Sequence, residues 1–165
     1  MKTFLSLFVA LPTLFLALPA LAEGKPFSAG VVDPIQIVPS SEGIAGVRLS
    51  LFYGNNTTLK GFDLVLIGVN RLQSTMQGVQ LGLFNWTEGG EQAGAQLGLV
   101  SYTGGHFMGA QLGWAFNYAK EVTGLQLGIV NYAERLNKGL QIGLVNIAKN
   151  GFLPVFVIVN FNFSS

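Results

Sequence analysis

The sequence predicts an all-β fold built from a repeated strand, either a closed eight-stranded barrel or, as the alternative, a β-solenoid. Half of the 165 residues are apolar and only 10% are charged, whereas soluble domains carry about a quarter charged residues. A strand-forming motif recurs about every 15 residues. After residue 22, no stretch reaches the roughly 18 apolar residues of a membrane-spanning helix. The chain therefore either buries most of its surface or faces something other than water.

The first 22 residues have the three parts of a secretory signal peptide. Lys2 supplies the positive charge, residues 4–18 are almost unbroken apolar sequence, and Ala20-Leu21-Ala22 is a small-x-small cleavage site. The alternative, a membrane anchor, is disfavoured by Pro12, by Pro19 and by the cleavage-site residues. We expect residues 1–22 to be removed on export and exclude them from the fold.

The remaining chain divides into an extended segment at 23–43, a plug or cap, and a repeat-built β-domain at 44–165. Each repeat follows the pattern Gly-x-Gln-[Leu/Ile]-Gly-[Leu/Ile]-[Val/Phe]-Asn, seen most clearly at 124–131 and 139–146. Successive leading glycines are 15, 17, 16, 15, 15 and 15 residues apart. These glycines are Gly46, Gly61, Gly78, Gly94, Gly109, Gly124 and Gly139. A divergent last unit, 155–163, makes eight.

Each copy alternates with period two, which is the signal of a strand. One face of the strand is apolar in every copy, as at Leu125, Leu127 and Ile129. The other face carries Gly, Gln and Gly. A helix is implausible because each interior glycine would cost about 1 kcal/mol relative to alanine.

The glutamine position forms a candidate polar ladder along one face of the repeat. Its members are Gln80, Gln96, Gln111, Gln126 and Gln141. Arg48 and Asp63 occupy the same position in the first two copies, so we expect them to form an interior ion pair on adjacent strands. In a barrel the glutamines would pack in the interior and hydrogen-bond to one another, which is the favoured interpretation. In a solenoid they would form an exposed strip able to bind a glycan, a surface or a partner. Repeated asparagines such as Asn131 are expected at strand ends or corners.

The barrel prediction is an antiparallel meander of eight strands closed as a small outer-membrane-type β-barrel with its apolar face toward lipid. Gly104-Gly105 suits a two-residue hairpin turn, and a second turn is expected at Glu134-Arg135. Fifteen residues give a strand of 9–11 residues plus a turn, enough to cross a bilayer. Aromatic residues at the strand ends would form girdles at both rims. They are Trp86, Tyr102, Tyr118 and Tyr132.

The solenoid alternative has one strand per 15-residue coil with the apolar face inward. It explains why none of the turns is long, whereas membrane barrels usually have long loops on one side. The two folds differ in their response to charge on the apolar face. Leu127→Arg would block membrane assembly of a barrel but would unfold a solenoid, and Gln126→Arg would be tolerated better in both.

The repeat resembles the uncharacterised surface-repeat proteins of Gram-negative bacteria. The resemblance covers about 44–165, including the Asn150–Pro154 segment before the last strand. It implies an exported protein of the cell envelope whose number of repeats varies, which a solenoid accommodates more easily than a barrel. The motif implies no catalytic or binding residue.

No constellation of residues predicts catalysis, so we expect a protein that is not an enzyme and needs no cofactor or metal. Cysteine is absent, and the one histidine, His106, lies in a predicted turn. Glu88 and Glu91 flank another turn and are expected to be solvated. The lack of a basic patch disfavours nucleic acid, and no small-molecule substrate is indicated.

The predicted function is a structural, adhesive or anchoring role in the outer membrane, with membrane lipid as the expected partner. The alternative is a periplasmic or surface-displayed β-solenoid that acts as a binding or interaction module.

Overall fold

The computed structural model describes residues 24–163, and these form a β-solenoid of about seven coils with no helix. The predicted signal peptide lies outside the described residues. Eleven strands make up one sheet system. They are β1 Lys25–Val32, β2 Ile35–Gln36, β3 Ile44–Ser50, β4 Tyr53–Asn56, β5 Leu59–Val65, β6 Val69–Leu72, β7 Met76–Leu81, β8 Phe84–Thr87, β9 Glu91–Leu127, β10 Val130–Ala148 and β11 Val155–Asn162.

The barrel prediction is wrong, because successive repeats pair in parallel rather than antiparallel. Gly46 pairs with Gly61, and Gly61 pairs in turn with Gly78. The predicted hairpin turn at Gly104-Gly105 does not reverse the chain: Thr103 pairs in parallel with Thr87 one coil earlier. Parallel stacking places each residue over its equivalent in the next coil, so glutamine meets glutamine and glycine meets glycine.

Each coil contributes two strands to the solenoid, not the single strand of the sequence prediction. The first side consists of β1, β3, β5 and β7 together with the parts of β9 and β10 that follow each leading glycine. The second side consists of β4, β6 and β8 and the matching parts of β9 and β10. A third stretch returns the chain to the next coil, and here too the coils pair in parallel, as Arg135 does with Glu121.

The orientation of the first side is the reverse of the one predicted for a solenoid. Gln126 is fully buried, whereas Leu127 is 43% exposed, so the Gly-Gln-Gly face points inward and the apolar face points out. The expectation that Leu127→Arg would unfold a solenoid while Gln126→Arg would be tolerated is therefore reversed.

The narrow interior explains this orientation. Gly109 and Gly124 have φ angles of +131° and +126°, and a Cβ on either would collide with the carbonyl oxygen of the leading glycine one coil earlier. Adjacent coils therefore approach too closely for a branched side chain at this position. Beside the leading glycines, the inward face of the first side carries flat amides, whose buried polar atoms can hydrogen-bond to one another between coils.

An apolar core fills the part of the interior where the third stretch joins the first side. Most of its large residues lie at equivalent positions of successive coils, and Leu72 and three alanines complete the core on the second side. The core residues are Val38, Ile44, Leu59, Leu72, Met76, Phe107, Ala119, Val122, Ala133, Leu136 and Ala148.

The two ends of the solenoid are closed differently. In the N-terminal segment, predicted as a strand, plug or cap, β1 pairs in parallel with β3, and the two-residue strand β2 folds back on β1. At the C-terminal end, β11 turns back and pairs antiparallel with β10. The connecting loop covers part of β11, since the Phe152 N–H donates to the Phe161 carbonyl at 2.7 Å.

Candidate interaction surface

The outer face of the first side is a continuous apolar surface beyond its edge with the third stretch, where exposed Lys60 and Gln77 lie. Each of the seven coils presents three outward positions, two residues apart, and every one is apolar. They are Val47, Leu49 and Leu51; Phe62, Leu64 and Leu66; Val79, Leu81 and Leu83; Ala95, Leu97 and Leu99; Ala110, Leu112 and Trp114; Leu125, Leu127 and Ile129; and Leu140, Ile142 and Leu144.

This surface is accessible, and it is large for a monomer. Trp114 is 77% exposed and stands beside a shallow apolar depression lined by Leu127, Ile129, Leu144 and Ile158. With coils about 4.8 Å apart and residues about 3.3 Å apart along a strand, the face measures roughly 600–700 Å². The largest apolar patch of an ordinary monomer is about 300–600 Å² and is often functional.

The second side carries a column of stacked aromatic rings. Ring centroids are 4.0 Å apart between Trp86 and Tyr102, 4.8 Å between Tyr102 and Tyr118, and 5.4 Å between Tyr118 and Tyr132. The barrel prediction assigned these residues to two girdles, which is wrong because parallel coils bring them into one column. Stacking covers the ring faces that point along the column, so mainly ring edges remain available to a partner.

Tyr118 is anchored within this column by a hydrogen bond. Its hydroxyl donates to the Glu134 carboxylate at 2.8 Å. Desolvation by burial, together with this hydrogen bond, raises the pKa of Tyr118 to about 12. The phenol therefore stays neutral and keeps donating well above neutral pH.

Charged side chains of the repeats concentrate on the third stretch and at its junction with the first side. Within 44–154, the exceptions are Arg71 and the buried Arg48–Asp63 pair. The group comprises Lys60, Glu88, Glu91, Lys120, Glu121, Glu134, Arg135, Lys138 and Lys149. Arg71 pairs with Glu88, whose hydrogen bond raises the pKa of the guanidinium. The cross-section of the solenoid is thus amphipathic.

The predicted glutamines form a continuous amide ladder in the interior. Gln96 donates to Gln80, Gln111 to Gln96, Gln126 to Gln111 and Gln141 to Gln126, all at 2.8–2.9 Å. All five side chains are fully buried. The prediction that a solenoid would expose these glutamines as a strip is therefore wrong, and the ladder joins successive coils in the interior.

Asparagines form a second ladder in the interior. From the sequence, these asparagines were predicted to lie at strand ends or corners. Asn117 donates to Asn131, and Asn131 to Asn146, both at 2.8 Å. Asn131 also donates to the Ile142 carbonyl at 2.9 Å and so links the second side to the first. The second glycine of the motif is required twice: a Cβ on Gly128 would collide with the Gly113 carbonyl oxygen one coil earlier and would lie 2.7 Å from Asn117 Nδ2.

Arg48 and Asp63 lie together inside the first two coils of the repeat. Both side chains are fully buried and form a two-pronged ion pair, with Arg48 Nε 2.7 Å from Asp63 Oδ1. Arg48 Nη1 also donates to Asn56 Oδ1 at 3.0 Å. Gln80 Nε2 lies 3.4 Å from Asp63 Oδ2, so the pair continues the glutamine ladder in charged form.

The remaining sequence candidates are not brought together. His106 lies beside Thr123, with Nε2 2.9 Å from Oγ1. Glu88 forms an ion pair with Arg71, and the Glu91 side chain is exposed. Among residues 24–163, no group of three His, Asp or Glu side chains could hold a metal ion. The same residues include no helix long and apolar enough to cross a membrane.

Comparison with known proteins gives no match to a family model, a curated protein or a solved structure.

Proposed function

We propose that this chain is a non-enzymatic interaction module of a Gram-negative cell envelope, exported by residues 1–22, whose working surface is the outer face of the first side. One observation carries this proposal. The three outward positions of all seven coils are apolar and lie on an accessible sheet. A solvated antiparallel or solenoid sheet would normally place polar residues there. The repeat resemblance to exported surface-repeat proteins supports the cellular location.

The other surfaces are less suited to binding. The interior ladders are sealed from solvent, so they hold the coils together. In the aromatic column of the second side, both faces of Tyr102 and Tyr118 and one face each of Trp86 and Tyr132 are covered by neighbouring rings. A sugar that stacks on an aromatic residue needs a free face, so the column offers little area for it. The charged groups of the third stretch are mixed in sign, which is typical of a solvated surface.

Cell fractionation of wild type and two variants tests the proposal. Leu127→Arg places a charge in the middle of the first side, while Gly89→Arg adds the same charge to the third stretch, where a side chain meets nothing within 4 Å. We expect wild type and Gly89→Arg to remain with the envelope fraction. Leu127→Arg should be released at least about tenfold more, as a loss of roughly 1.4 kcal/mol of binding requires.

Circular dichroism of the purified variants completes the experiment. Because Leu127 points outward, Leu127→Arg should keep the β spectrum and the unfolding transition of wild type. Retention of Leu127→Arg in the envelope at the wild-type level would contradict the proposal. Loss of its fold would contradict the outward orientation on which the proposal depends.

A further inference from the structure

We infer that the partner of the first side is the acyl-chain region of a phospholipid membrane, on which the solenoid lies with its third stretch toward water. This inference rests on the proposed function and names its partner. The competing occupant is a second copy of the chain, packed first side against first side. The area alone suits both, because a standard protein interface buries about 800 Å² on each partner.

The chemistry of the first side favours lipid over protein. Across the three positions per coil that follow the leading glycines, the Trp114 indole N–H is the one side-chain hydrogen-bonding group. The exposed polar residues of these strands, such as Lys60 and Gln77, lie at the edge beside the third stretch. Protein interfaces carry about one hydrogen bond per 100–200 Å². The backbone of the central coils is already satisfied by the coils on either side, which meets the requirement that hydrocarbon places on buried N–H and C=O groups.

The apolar surface also continues past the first side onto the C-terminal end. Phe152, Val155, Val157, Ile158 and Phe163 are all exposed there. Soluble solenoids need end caps with a polar outer face, and a dimer of first sides would leave this end in water. A membrane surface can accept both regions at once.

The distribution of charge fixes the orientation and the class of lipid. The charged group of the third stretch and its junction contains five basic and four acidic side chains, so it offers no strong attraction to an anionic surface. The apolar face therefore supplies the affinity, and binding should not require anionic headgroups. This differs from basic amphipathic helices, which combine apolar burial with attraction to anionic lipids.

The two tryptophans allow a site-specific test in the full chain. Trp114 lies on the first side and Trp86 on the second. The Trp86→Phe variant therefore reports on Trp114 alone, and the matched Trp114→Phe variant reports on Trp86. Each is mixed with vesicles of phosphatidylcholine, with and without bromine on the acyl chains, and with an aqueous quencher.

Trp114 emission should shift to shorter wavelength on vesicle binding, be quenched by the brominated acyl chains and become shielded from the aqueous quencher. Trp86 should stay accessible to water. Partitioning should change by less than about twofold between low and high salt, since net charge does not drive binding. Adding Leu127→Arg to the Trp86→Phe variant should abolish the Trp114 response.

Three results would overturn the inference. One is the absence of vesicle association. Another is association in which Trp114 stays accessible to water, as expected if a part of the chain other than the first side inserts. The third is a lipid-free dimer by light scattering with Trp114 already shielded, which would assign the first side to a second copy. If any of these results accompanies Leu127-dependent retention in the envelope, the proposed function stands and only the lipid assignment fails.

Discussion

At the scale of single residues, the interior ion pair shows how this solenoid handles charge. Arg48 and Asp63 stand at the glutamine position of their coils and satisfy one another in a fully buried site. Removing one member of such a pair leaves an uncompensated buried charge, whereas replacing both is often neutral. The other coils supply the natural replacement, because Gln80 and its equivalents form the same ladder with neutral amides.

Asp63→Gln should therefore lower the free energy of unfolding by about 3–5 kcal/mol, since it strands the Arg48 guanidinium in the interior. The double variant Arg48→Gln/Asp63→Gln should recover most of that loss by extending the amide ladder by two coils. Urea unfolding of the two variants and wild type measures both values. If the double variant has no higher free energy of unfolding than Asp63→Gln, the amide ladder cannot replace the ion pair.

At the scale of the repeated element, each motif position has a separate structural role. The leading glycine permits close approach of the coils, the glutamine joins them, and the second glycine leaves space for the asparagine that crosses the interior. The apolar positions between them point outward and contribute to the surface. On the first side, the motif thus encodes a polar inward face and an apolar outward face.

Gly109→Ala should destabilise the protein by at least about 2 kcal/mol, because its positive φ is strained for alanine and its Cβ would meet the Gly94 carbonyl. Gly89→Ala is the matched control, since a Cβ there meets open space, and should change stability by less than about 0.5 kcal/mol. Thermal or urea unfolding distinguishes the two. Equal effects at both positions would mean that coil spacing does not depend on the leading glycines.

At the scale of the whole molecule, the coils behave as interchangeable units between two different ends. The length of the apolar face is set by the number of coils, and neighbouring coils interact mainly with one another, as in other repeat proteins. Net charge is close to zero, so the division between an apolar first side and a charged third stretch, more than overall charge, determines what the molecule can bind.

Deletion of 124–138 removes one coil and brings Gln141 over Gln111, so the shortened chain should fold. Its urea m-value should fall by about one-seventh, in proportion to the surface lost. Deletion of 124–130 removes half a coil, shifts the ladders out of register and should prevent folding. Circular dichroism and urea titration test both deletions. Equal folding of the two would contradict stacking in register.

The sequence by itself determined the strand character, the length of the repeat and the alternation of its two faces. These properties follow from local periodicity. It also placed Arg48 and Asp63 at equivalent positions of adjacent units, where the structure brings them together. The composition indicated that much apolar surface must be buried or must face something other than water. In the structure, much of that apolar surface is the outer face of the first side.

Only the tertiary structure decided between parallel and antiparallel pairing and between the two possible inward faces. Both pairings satisfy the same alternation, and Gly104-Gly105 suits a hairpin as well as a corner, so the local signal at this turn was ambiguous. Hydrophobicity favoured burying Leu127 in a solenoid, whereas in the predicted barrel the same residue faced lipid and Gln126 faced the interior. The contact between stacked leading glycines brings the coils close together and favours hydrogen-bonded amides on the inward face beside them. This spacing between coils is a property that no single repeat contains.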